Sequence, residues 1–424
     1  MKSEESWGLL GMRFKDTEVG IIPESWEVKQ IKEVTEIVTD YVANGSFASL
    51  AENVKYKDET DEAVLIRLVD YNNDFNGNFV FIDSHAYEFL GKSKLFGGEI
   101  IISNVGANVG TVFRCPTLKY KMSLAPNSVM VKFKENDDFY FHWLRGYNGQ
   151  SMLKSIVTGS AQPKFNKTNF REMLVPVPPV EEQTKIANIL NSIDEKIDLN
   201  NEINKNLEQQ AFAIYDEFIS SHNYQTVTIG DLCISANTGA DAIRKAPIVE
   251  EDTGIHCVRV GDMSNERPVH QWGFSRVTPE IFKQYQLHKD DIVVTRTAIL
   301  GLNRLISDDL NAIYNNGLIR LIINKNCAIP LIVYRQLQTK DYTNYIARIT
   351  GETSVRPNMK INYLLQYQFS LPEMNDQVEL AELLVPIYKM QQTNIENNRS
   401  LAELRDSLLP KLMSGEIDVA DIDL

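Results

Sequence analysis

A gapless internal repeat constrains this chain more than any other feature. Residues 163–215 lie on residues 357–409 at a constant offset of 194. The matching positions are specific: Pro178 falls on Pro372, Gln183 on Gln377, Leu190 on Leu384, Ile193 on Ile387, Asn200 on Asn394, Glu202 on Glu396, Asn204 on Asn398 and Leu207 on Leu401. Thr158-Gly159 pairs with Thr350-Gly351 once two residues are allowed for. Further upstream, IRLVD (Ile66 to Asp70) resembles VRVGD (Val258 to Asp262), and GEIIIS (Gly98 to Ser103) resembles DDIVVT (Asp290 to Thr295). A chain that repeats at such a period is built from two copies of one structural plan. Each copy reads as a globular unit of about 150 residues followed by an acidic segment of about 40.

Within the acidic segments the apolar positions step by four and three. The first copy gives Ile186, Leu190, Ile193 and Ile197, then Leu207, Ala211, Ile214 and Phe218; the second gives Leu380, Leu384 and Ile387, then Leu401, Leu408 and Leu412. That spacing predicts a coiled-coil seam on two long helices, with Pro178, Pro179 and Pro372 as start punctuation. At about 1.5 Å per residue, some 36 residues form a rod of roughly 55 Å. The seam passes through Asn200 and Asn204 in one helix and Asn394 and Asn398 in the other. A buried amide without a partner costs roughly 1–3 kcal/mol, so the expected arrangement pairs these asparagines across the interface and uses them to set register. Solvated asparagines are the alternative. The second globular unit must fit between the end of one helix and the start of the other, which favours an antiparallel pair related by a pseudo-two-fold axis.

Short β-branched runs punctuated by Gly, Asn and Asp dominate both globular units, for example EAVLIRLVD and NSVMVKF in the first, DIVVTRTA and LIRLIIN in the second. They read as strands, with helical stretches after them. The expected fold class is therefore mixed α/β: two similar domains joined by two long antiparallel helices. The expected segmentation is residues 1–178, 179–220, 221–371 and 372–424.

The formal charge of −14 argues globally against a polyanionic partner. Its distribution changes that reading. Residues 180–222 carry nine acids and three bases, and residues 373–424 carry eleven and four, which leaves 36 bases against 37 acids elsewhere. The near-neutral globular units thus remain able to contact nucleic acid, weakly unless a basic partner contributes. No apolar run reaches the length of a membrane span, and Glu4 and Glu5 sit where a secretory leader would be basic, so a cytoplasmic protein without membrane contact is expected. Cys115, Cys233, Cys257 and Cys327 are scattered and predict neither a disulfide framework nor a zinc site. The sequence holds no phosphate-binding GxxxxGK[ST] loop, no HExxH and no GxSxG. The only double proline, in PVPPVEEQ, lacks the [DNS]PP[YF] pattern of an adenine methyltransferase. No catalytic constellation, metal or cofactor is expected in the chain itself.

Two globular units, each followed by a long helix opening in PP-x-x-E-Q or P-x-x-x-D-Q, resemble the specificity subunit of type I restriction-modification systems. The strings that carry the likeness are GIIPESWEVKQIKEV at 20–34, VPVPPVEEQTKIANILNSIDEKI at 175–197 and LLPKLMSGEIDV at 408–419. The second unit lacks a clear counterpart of GIIPESW, and its helix begins MNDQ where the first has VEEQ. The resemblance implies two target recognition domains, each reading one half of a split double-stranded DNA sequence, with the helices as a spacer. Half-sites one turn apart are roughly 34 Å from each other, the size range of such a rod. It also implies partners: two modification subunits carrying S-adenosylmethionine, and restriction subunits using ATP and Mg. The alternative is a duplicated protein-interaction scaffold without base-specific DNA binding, which the acidic total favours slightly.

Candidate DNA contacts lie in the loops that precede each helix: Gly159, Ser160, Gln162 and Lys164 in TGSAQPKFNK, and Thr353, Ser354, Arg356 and Lys360 in TGETSVRPNMK. Gln pairs bidentately with adenine and Arg with guanine, although a polar connector would look the same. Asn104 and Arg296 follow equivalent strands and are further candidates. Arg67 with Asp70, and Arg259 with Asp262, recur at one spacing and suit either DNA contact or an internal ion pair.

Overall fold

The computed structural model describes residues 13–222, 224–241, 243–351 and 358–419. Contacts divide the chain into two units: the first runs to Leu199 and resumes at Asn397, and the second spans Asn200–Glu396. Both divisions fall inside long helices, Val180–Ser221 and Met374–Met413, so each unit contains half of each helix. The units therefore do not end where the helices begin.

In the first unit, a four-stranded antiparallel sheet has the order Thr35–Asp40, Ser128–Phe133, Ile100–Ser103, Val112–Arg114. A second four-stranded sheet places Ala63–Ile66 beside Lys121–Leu124 in parallel, flanked by Val80–Ile82 and Lys94–Leu95. Alternation along the strands sorts their side chains. Ile100 and Ile102 join one core with Val129, Val131, Phe139 and Trp143, whereas Ile101 and Met130 join another with Val64, Ile66, Met122 and Leu124 of the second sheet. The far face of the second sheet, Ala63 and Leu65, is covered by helices Phe47–Asn53 and Ser84–Phe89. Strands buried on both faces need apolar residues at every position, which explains the unbroken run Ile100–Ile102.

The second unit repeats this plan. Cys233–Thr238, Leu318–Ile323, Ile292–Thr295 and Asn303–Leu305 form the antiparallel sheet, and His256–Val258 pairs in parallel with Ala312–Tyr314 in the other. Each unit also ends in a two-stranded ribbon, Leu174–Val177 on Glu27–Gln30 in the first and Gln368–Pro372 on Tyr224–Thr228 in the second. The second copy thus has a counterpart of EVKQ, hidden in YQTVT. Among the described residues, the hairpin Phe14–Thr17/Gly20–Pro23 belongs to the first unit alone. There Trp26, 1% exposed, meets Phe139 edge to face and donates its Nε1–H to Glu182 at 2.8 Å.

The heptad stripe has a task beyond pairing helix with helix. Ile186 and Leu190 are buried in the first unit's core beside Trp143 and Leu412, and Ala211, Phe218, Leu380 and Leu384 in the second unit's core beside Ile332. Each antiparallel sheet needs an apolar cover on its outer face, and the helix ends contribute to it. The helices also contact each other in antiparallel sense. In the first unit Arg405 Nη1 donates to Asp194 at 2.8 Å and Asn398 Nδ2 to the Ile197 carbonyl at 3.5 Å. In the second, Gln391 Nε2 donates to the Asn204 carbonyl at 3.3 Å.

The repeated glutamines anchor the helix starts. Gln183 Nε2 donates to the Pro178 carbonyl, and Gln377 Nε2 to the Pro372 carbonyl, each at 2.9 Å. Gln377 Oε1 also accepts from the Ile329 N–H at 2.9 Å. The PP-x-x-E-Q signature is thus a strand-to-helix clamp.

Candidate nucleic-acid interface

In each unit the loop leaving the central strand is stitched to the loop that precedes a long helix. In the first, the Gly106 N–H donates to the Pro163 carbonyl at 2.9 Å and the Phe165 N–H to the Asn104 carbonyl at 3.1 Å. Val105 and Lys164 form an antiparallel bridge. In the second, the Met359 N–H donates to the Arg296 carbonyl at 2.7 Å, and Thr297 bridges Asn358.

Asn104 and Arg296 brace these junctions. Asn104 Nδ2 donates to the Phe165 carbonyl at 3.3 Å, while its Oδ1 is buried with no partner among the described residues. Arg296 Nε donates to the Met359 carbonyl at 3.1 Å and its Nη1 to the Asn316 carbonyl at 3.0 Å. Both side chains are spent largely on holding the loops. At the next turn Gly106 has φ +103° and its counterpart Ala298 has φ +62°, a left-handed conformation that glycine adopts without a steric penalty.

The loop 158–164 is closed by reciprocal backbone bonds between Thr158 and Lys164, at 2.8 and 2.9 Å. Gly159 makes the turn possible. Its φ is +88°, and a Cβ there would stand 2.9 Å from the Gln162 carbonyl oxygen. Ser160, Gln162 and Lys164 are exposed at this loop, and their side chains make no hydrogen bond among the described residues. In the second unit Lys360 is exposed at the start of helix Ile361–Leu365, whereas Thr353, Ser354 and Arg356 lie outside the described residues.

The recurring Arg/Asp pairs are internal. Arg67 grips Asp70 through Nη2 at 2.6 Å and Nε at 2.9 Å, and the Asp70 carboxylate also accepts the Arg67 N–H at 2.9 Å. In the second unit, Asp262 accepts the Arg259 N–H at 2.9 Å and its Nε at 3.3 Å. Asp70 and Asp262 are buried, which demands such partners. Arg67 and Arg259 are thus each paired with a buried carboxylate while their own side chains stay about one-third exposed, at 31% and 36%.

Of the seam asparagines, Asn394 Nδ2 donates to Asn204 Oδ1 at 2.8 Å within the second unit, and Asn204 Nδ2 to the Gln391 carbonyl at 3.3 Å. Asn398 reaches the Ile197 carbonyl in the first unit, and Asn200 lies in the first long helix. One polar node escapes sequence reasoning: Glu208 accepts from Arg335 Nη1 at 2.8 Å and from Gln391 Nε2 at 2.9 Å. Arg335 also stacks its guanidinium 4.6 Å from the Phe212 ring centroid. In the first unit His142 occupies the corresponding helix, buried and bonded through Nε2 to Asn191 Oδ1 at 2.8 Å; burial pushes its pKa below 6.5.

Among the described residues no group of three or more His, Cys, Asp or Glu side chains is placed to hold a metal. Burial pushes the thiols of Cys233 and Cys257 up to about 12, where they are poor nucleophiles. No helix there is long and apolar enough to cross a membrane.

A family model described as "Type I restriction modification DNA specificity domain" matches residues 23–209 and again 221–405. The putative type I restriction enzyme MjaX specificity subunit of Methanocaldococcus jannaschii is 26% identical over 202 residues, 46% of this chain and 45% of that protein, so this match spans under half of the relative. The MjaIX specificity subunit of the same organism is 21% identical over 96% of this chain and 97% of its own length. The crystal structure of a type I restriction-modification S subunit from M. genitalium shares the fold, with a TM-score of 0.55 and 15% identity over 91% of this chain and 96% of that one. With two copies of the domain covering most of its length, the chain belongs to the type I restriction modification DNA specificity family.

Proposed function

We propose that the chain is the DNA-reading subunit of a type I restriction-modification complex and recognises a split, asymmetric target, one half per unit. The observation that carries this reading is the stitched pair of loops found in both units, which presents Ser160, Gln162 and Lys164 in the first unit on a braced backbone. Side chains held on such a platform suit base-edge and phosphate contact. The two loops differ in sequence, TGSAQPKFNK against TGETSVRPNMK, so their half-sites differ. The chain supplies recognition. Two modification subunits bring S-adenosylmethionine and methylate adenine, and restriction subunits bring ATP and Mg. The duplicated helices offer two similar acidic docking segments, and Leu383 and Met390, seven residues apart and exposed on the second helix, add apolar contact area in the second unit. The helix Val180–Ser221 runs without a break from one unit into the other and acts as the spacer.

The test is methylome sequencing of cells expressing the chain with its modification subunit, and of cells lacking the chain. A split, asymmetric adenine-methylation motif present only with the chain supports the reading. An active methyltransferase that co-purifies yet yields no motif favours the protein-interaction scaffold.

A further inference from the structure

The units share their sheet plan yet differ beside one strand. In the first unit a cleft of about 470 Å³ opens next to Val80–Ile82, walled by the rings of Phe79, Phe81 and Tyr120, with Asp58, Asn78 and Lys119 at its polar margin. Tyr120 meets Phe81 edge to face at 5.2 Å, and Phe79 meets Phe81 at 6.5 Å. Three non-glycine residues of the adjoining turn are left-handed: Asp74 (φ +48°), Phe75 (φ +55°) and Asn78 (φ +51°). Such backbone is costly, above all for a ring-bearing residue, and persists only where its surroundings impose it. Here the Phe75 N–H is tied to the Asp70 carbonyl at 2.7 Å, and Arg67 Nη2, already held by Asp70, donates to the Asn78 carbonyl at 3.0 Å. The Arg67–Asp70 pair therefore shapes the cleft wall. In the second unit the pair recurs as Arg259–Asp262, but Trp272, just before strand Phe274–Ser275, is 2% exposed and donates its Nε1–H to the Arg267 carbonyl at 2.9 Å. There the corresponding place is taken by an indole.

We propose that the cleft of the first unit receives one unstacked nucleobase of its half-site, stacked on Tyr120 and Phe79, with Asp58 accepting from an exocyclic amino group and Lys119 meeting the adjoining phosphate. The inference rests on the DNA-reading function above. Aromatic walls bind any base by stacking, and a carboxylate at the rim accepts from the exocyclic amino group that adenine, cytosine and guanine carry and thymine lacks. Lys119 makes no ion pair among the described residues and stands 5.0 Å from the Tyr120 ring centroid. A phosphate beside the base pairs with that ammonium, whereas a cationic side chain of a protein partner would pair with Asp58 alone and leave the two ammonium groups facing each other.

The experiment uses the full chain with its modification subunits, in wild-type form and as Tyr120→Ala and Asp58→Asn. Asp58 is exposed, so its variant leaves the core intact. Expected for Tyr120→Ala is a loss of roughly 5- to 150-fold in affinity for the target duplex, the range for one base–aromatic stack, with binding to unrelated DNA unchanged. Expected for Asp58→Asn is a changed base preference at one position of one half-site in the methylation motif. An unchanged motif and affinity in both variants overturns the proposal while leaving the function standing. Equal weakening on all DNA also overturns it, as does loss of a modification subunit from the complex with the motif unchanged. A wild-type complex without any motif overturns the proposal and the function together.

Discussion

Replacing Gln377 and, separately, Gln183 by alanine makes one chemical change at two repeat-equivalent positions, and the structure assigns the two changes different costs. Both side chains are buried, at 1% and 0% exposure. Gln377→Ala strips the Pro372 carbonyl and the Ile329 N–H of partners at 2.9 Å. At about 1–3 kcal/mol for each buried group left unpaired, the loss comes to roughly 2–4 kcal/mol, since Ile329 is only half-buried. Gln183→Ala strips the Pro178 carbonyl but also removes Gln183 Oε1, which is buried with no partner among the described residues. The second effect offsets the first, and the Glu135 carboxylate that Gln183 also touches is exposed and regains water, leaving about 0–1 kcal/mol. Urea denaturation of the full chain measures both. For a unit of this size a difference of about 2 kcal/mol separates the two midpoints by several degrees in a thermal scan. Equal destabilisation, or a larger effect at Gln183, would contradict the second bond assigned to Gln377 Oε1.

Three further outcomes follow from the same geometry. His142 is buried neutral, so its depressed pKa makes the folded state bind fewer protons than the unfolded one: stability falls as pH drops below about 6.5, and His142→Gln flattens that pH dependence in denaturation curves. Asn394→Leu orphans Asn204 Oδ1 and costs about 1 kcal/mol, whereas the Asn204→Leu/Asn394→Leu double variant costs less than the sum of its two single variants; additive effects in the double-mutant cycle would contradict the pairing. Ala298→Gly removes a left-handed alanine where the first unit uses glycine, and raises stability by about 0.5–1 kcal/mol by midpoint shift.

The long helices are legible because a seven-residue period of apolar residues has few other uses. Period alone does not say what buries the stripe: Ile186 and Leu384 face sheet cores as much as a partner helix. The duplicated loops are visible as sequence, yet the brace is not, since Asn104 and Arg296 share no chemistry beyond a donor aimed at a carbonyl. The Arg67/Asp70 spacing fits a surface contact and an internal pair equally well, and the burial of the carboxylate that calls for the pair is tertiary. YQTVT is too short and too exposed to declare itself a strand; it is one because Gln368–Pro372 pairs with it. The node of Glu208, Arg335 and Gln391 joins residues 127 and 183 positions from one another, a separation that no local pattern signals.

Whether each unit reads one half-site is measured by replacing the globular part of the first unit, residues 35–173, with the corresponding part of another family member and mapping the methylation motif of the hybrid complex. One half of the motif should change while the other half and the intervening gap stay as in the parent. A hybrid that methylates and keeps both halves, or that changes both, would contradict the assignment of one half-site to each unit.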